Sequence, residues 1–207
     1  MVQVLGLSPE WFFPADSVLG LISALFALSV CVMSYRAFHF SQEKKYMTWS
    51  LAFFLLAAGG IVRIITNLLV SYSFDPFIFK LGYASFILAT IGAFALVLYL
   101  KGDRARTVGL MYLLTILLLY FSNLYYKSFY LATFLYTAVI AWDFFDNTQK
   151  RGGIARYAFI AFLCISVAQL LFLVSLFYPL TEVGHVLQFI GYGTLFVQMR
   201  KVGKSEA

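Results

Sequence analysis

Along this chain long apolar runs alternate with short clusters of charge. Bilayer hydrocarbon is about 30 Å thick and takes about 20 apolar residues per helix, so the gaps between charges count the spans. They give seven: 17–34, 49–70, 81–100, 108–121, 129–142, 157–177 and 183–199. The expected fold is all-α, a single polytopic domain over 1–207 with seven transmembrane helices. Pro9, Pro14, Pro76 and Pro179 all fall at span boundaries, so the helices should run straight. Gly59-Gly60 and Gly191-x-Gly193 are the places where a span would loosen.

Composition agrees, since 62% apolar and 12% charged residues are far from a soluble balance. The net charge of +6 changes the picture only through its distribution, which gives orientation rather than nucleic-acid binding. With the N-terminus outside, the clusters at 36–45, 101–106, 150–156 and 200–204 place twelve Lys and Arg in the cytoplasm against Lys80 and Lys127 outside. The first sixteen residues lack the basic start of a cleavable signal, so span one should insert itself. Cys31 and Cys164 read as packing residues in spans.

Arg63 is the one charge that has no membrane surface to lie at. It sits some 14 residues from Trp49, about 21 Å along a helix and therefore in the outer half of the membrane. A charge there costs about 2.5–3.5 kcal/mol near mid-membrane, so something must compensate it. Asn67 lies one turn further out, and Glu182, His185 and Gln188 follow at helical spacing on span seven, with Gln169 at similar depth on span six. The expected site is a polar cluster of Arg63, Asn67, Gln169, Glu182, His185 and Gln188, with Glu182 as counter-ion. It either ties helices together or lines an outward pocket for a small polar or anionic ligand.

Other chemistry finds little purchase. His39 and His185 fall at opposite faces, so neither haem nor a metal is expected, and no cofactor is called for. Asp143 and Asp146 read as a solvated cap paired with Lys150 and Arg151. The last span has no lysine for a retinal Schiff base, and no catalytic triad, phosphate loop or metalloprotease motif is legible, so enzymatic activity is not expected.

The stretch SYRAFHFSQEKKYMTWSLAFFLLAAGG and the closing GHVLQFIGYGTLFVQMRKV, with an outer N-terminus, resemble the seven-helix membrane regions of prokaryotic, especially archaeal, proteins. Some of those precede histidine kinases as sensors. Only RKVGKSEA follows Met199 here, so the resemblance implies output through a separate protein. Gly59, Gly60 and Arg63 also echo the second span of trimeric intracellular cation channels, but the fifth span, FYLATFLYTAVIAW, lacks the matching glycine. Basic loops, boundary prolines and the pairs Ile91-Gly92 and Ile190-Gly191 suggest a parallel 3+1+3 repeat. Sugar transporters of that plan carry prolines within the bundle, unlike this chain. The reading is a receptor-like or accessory membrane protein among lipids, with a protein partner or a second copy; a small channel or transporter is the alternative.

Overall fold

The computed structural model describes residues 12–72, 75–99, 129–151, 153–175 and 180–205, with single positions at 109 and 113. Among these it is all-α, with six helices: α1 (Phe12–Ser41), α2 (Lys44–Tyr72), α3 (Pro76–Tyr99), α4 (Phe129–Arg151), α5 (Ile154–Val174) and α6 (Thr181–Ser205). Spans one, two, three, five, six and seven of the sequence reading fall on these helices in order. Span four, 108–121, lies outside the described residues apart from Gly109 and Leu113.

Local chemistry sets the joints. α1 ends where Gln42 takes a left-handed φ of 57° and returns its N–H to the Phe38 carbonyl at 2.8 Å, a helix-closing turn. α2 starts two residues later, so α1 and α2 must lie side by side and antiparallel. Asp75 caps α3 by accepting the Phe77 N–H at 2.8 Å, with Pro76 in the first helical position where its missing donor costs nothing. Neither Gly59 nor Gly60 interrupts α2, which is continuous.

Four segments among the described residues are long and apolar enough to cross a bilayer: Ser17–Ser41, Lys44–Leu69, Phe77–Leu98 and Ala155–Val174. α4 and α6 are less apolar because their inward faces carry Thr133, Thr137 and Asp143, and His185, Gln188 and Gln198. The polarity of the molecule is inverted to match: Leu25, Phe54, Ile61, Leu88 and Val186 are exposed, while Asn67, Gln169 and His185 are buried. Water would penalise such a surface and lipid does not. This is a membrane-embedded chain.

The helices close a ring, each packing on its sequence neighbour and α6 returning to α1. Lipid supplies no hydrophobic drive between helices, so small residues that allow close approach carry the seams. Gly59 faces α3 so tightly that a Cβ would meet the Ala89 methyl at 2.9 Å, and one on Gly191 would meet Ile165 at 2.6 Å.

Directions follow from cross-helix contacts. Gly20 lies beside Ile64 and Cys31 beside Ser50, making α1 and α2 antiparallel. Gly82 against Thr66 and Gly92 against Leu55 do the same for α2 and α3. Tyr130 on Phe172 and Phe145 on Phe159 set α4 against α5, and Phe172 on His185 with Tyr157 under Lys201 set α5 against α6. Ser34 reaches Met199, so α6 runs with α1. It follows that α3 and α4 run the same way. At the end where α1 stops and α2 begins, Arg36, Lys44, Lys45, Arg156, Arg200 and Lys201 are exposed; we call it the basic end.

Near that end the axis is filled by aromatic rings. Trp49 of α2 stacks on Phe53 at 5.6 Å and reaches across to Phe144 at 6.2 Å and Phe162 at 6.0 Å, while Phe144 and Phe162 stack on each other at 5.6 Å. These contacts join α2, α4 and α5 directly.

Candidate functional site

Away from the basic end, the axis holds a cavity of about 50 Å³ to which all six described helices contribute. α1 supplies Gly20, Ser23, Ala24 and Ala27; α2 supplies Leu56, Gly60 and Arg63; α3 supplies Phe86, Thr90 and Phe94. Tyr130 comes from α4, Gln169 and Phe172 from α5, and His185, Gln188 and Tyr192 from α6. Since one buried water needs at least about 10–15 Å³, this space suits a few waters or one small ion. It is far below the roughly 300–1,000 Å³ of a metabolite pocket.

Four of the six residues expected from the sequence meet here: Arg63, Gln169, His185 and Gln188. Arg63 is half-buried, its guanidinium carbon 5.2 Å from the centre of the Phe86 ring. A cation on an aromatic face gains about 0.5–2 kcal/mol, which offsets a good part of the burial cost. Gln169 accepts the Thr133 hydroxyl at 3.0 Å, and Gln188 donates to the Tyr192 hydroxyl at 3.4 Å. The buried His185 ring meets Phe172 edge-on at 4.8 Å.

The other two are placed differently. Asn67 is fully buried one turn beyond Arg63, where it accepts the Tyr83 hydroxyl at 3.0 Å, so it ties α2 to α3 and does not line the cavity. Glu182 is exposed in the first turn of α6 and is likewise not a lining residue. The acid expected beside Arg63 is thus outside the site, and a Phe86 ring lies where a carboxylate was expected.

Sequence reasoning missed Phe86, Tyr130, Phe172 and Tyr192. The signal for Tyr192 was present, since His185, Gln188 and Tyr192 form one helical stripe. It was hidden by the many tyrosines that suit membrane interfaces.

Asp143 corrects a further expectation. It is 4% exposed and shares the inward face of α4 with Tyr136 and Ile140, so it is not a solvated cap. The expected span stopped at Trp142, whereas α4 runs on to Arg151 and carries Asp143 inside the ring. Asp146 is half-buried, and the Lys150 and Arg151 side chains lie outside the described residues.

The cavity combines a fixed cation, amides, an imidazole and two phenols against apolar walls. That set can bind an anion or order water. Among the described residues no group of three His, Cys, Asp or Glu is placed to hold a metal ion. No protein-family model, curated protein or solved structure matches the chain.

Proposed function

We propose that this chain is a non-enzymatic seven-helix membrane protein, a receptor-like or accessory subunit whose axial cavity takes a small anion and whose output passes to a separate partner. The observation that carries this reading is that every described helix contributes to the one cavity containing Arg63. An ion seated there bears on all six helices at once.

The seventh span is supported by direction. Because α3 and α4 run the same way, the chain between them has to return along the bundle, and in hydrocarbon only a helix satisfies its own backbone. We read the apolar run 108–121 as that span. The halves α1–α3 and α4–α6 then repeat one sequence of directions, with Gly92 and Gly191 on matching members, as a parallel 3+1+3 duplication requires. The basic end is the cytoplasmic one in this reading, leaving the N-terminus outside.

Transport is the rival reading, favoured by the axial position of the cavity. Toward the basic end the rings of Trp49, Phe53, Phe144 and Phe162 pack on one another, and this favours reception over conduction.

The test is thermal unfolding of the purified chain in chloride, nitrate and formate against a bulky anion such as gluconate. A small anion at ten times its Kd should add about 1.4 kcal/mol of stability, and Arg63→Gln should abolish the gain while still folding. Equal stability in every salt, or an undiminished gain in Arg63→Gln, refutes an anion site. Robust anion flux in liposomes replaces the receptor reading with a channel.

A further inference from the structure

At the basic end, α4 and α5 part around a second space, a groove of about 430 Å³ lined by Phe145, Thr148, Gln149, Gly153, Arg156 and Phe159. Its volume falls within the range of sites that hold whole molecules or headgroups, roughly 300–1,000 Å³. The lining is sorted by depth. Deeper in the membrane, Phe145 and Phe159 pack at 5.3 Å, and the exposed Trp142 extends that surface 6.1 Å from Phe145. Toward the bundle end stand Thr148, Gln149 and Arg156. Arg156 is exposed and has no carboxylate within ion-pair distance among the described residues. Arg156 is thus the cation of the groove; Lys201 is engaged elsewhere, over the Tyr157 ring at 4.1 Å and donating to its hydroxyl.

We infer that this groove binds the headgroup of an anionic phospholipid. The phosphate sits between Arg156 and the Gln149 amide, and an acyl chain runs along Phe145, Phe159 and Trp142. Phe145, Gln149, Gly153 and Arg156 are exposed, so the groove is open at the surface, and its sequence of apolar wall, amide and cation matches a phospholipid from tail to phosphate. A zwitterionic lipid would bring its own cation against Arg156, so the net charge of the headgroup decides. The site is separate from the axial cavity and does not depend on any ligand bound there.

The full chain, purified and exchanged into an equimolar mixture of phosphatidylglycerol and phosphatidylcholine, should retain the anionic lipid in native mass spectra. Arg156→Gln should lower the ratio of anionic to zwitterionic lipid retained by about fivefold, the loss of one basic contact at a membrane surface. Gln149→Glu, which sets an acid in the groove and leaves Arg156 in place, should do the same, whereas Lys80→Gln at the opposite end should not. Inorganic phosphate should leave the bound lipid in place. An unchanged ratio in both groove variants overturns the proposal, and so does displacement of the lipid by phosphate alone.

Discussion

The two halves of the bundle axis are built from the same ring of helices and are packed differently. Away from the basic end the facing positions are Arg63, Gln169, His185 and Gln188 around an open space; toward it they are Trp49, Phe53, Phe144 and Phe162 with the rings in contact. The difference teaches that width of the ring does not decide whether a cavity forms. Long side chains with polar tips hold one another apart because each must meet a partner, whereas aromatic faces gain by closing on one another.

That contrast can be broken at several points. The largest effect is expected from Phe162→Ala, since the ring is 1% exposed and touches both Trp49 and Phe144. Unfolding in mild detergent should show a loss of about 3–5 kcal/mol; a loss below 1 kcal/mol would mean that the aromatic half is loosely filled.

Gly191→Val comes next, at about 1–3 kcal/mol, because its new Cβ would lie 2.6 Å from Ile165 and 2.9 Å from the Ala161 carbonyl. Gly193→Ala, with nothing within 4 Å, is its control and should be near neutral in the same assay.

In the polar half, Gln169→Leu removes the acceptor for Thr133 and should cost only about 0.6 kcal/mol, the usual worth of an interhelical hydrogen bond in a membrane. A cost several times larger would make the amide structural rather than ligand-facing. Smallest of all is Glu182→Gln, expected within about 0.5 kcal/mol for an exposed residue outside the cavity. It should also leave the anion response unchanged, and loss of that response would restore Glu182 to the site.

The helices were legible because a span must be apolar for its whole length, and that pattern survives without knowledge of neighbours. Their ends were not. A helix does not stop where the hydrocarbon does, and so α4 passes Trp142 and takes Asp143 inward. The site was legible in part for a related reason: amides and ionisable groups are scarce in such a sequence, and helical spacing puts Arg63, Gln169, His185 and Gln188 at one depth. Depth does not give direction. Asn67 turns toward Tyr83 on α3, Glu182 turns outward, and the ring that meets Arg63 is one phenylalanine among 23. Charge alone suggested an acid as the partner, and an arene face that also attracts a guanidinium is not visible from charge.

The seams of the ring are unequal. α1 to α3 form one tightly packed triplet and α4 to α6 another, and the triplets meet more lightly, α1 on α6 and α3 on α4. Among the described residues the two lighter seams, α1 on α6 and α3 on α4, are therefore where the ring would yield first to a guest larger than a few atoms.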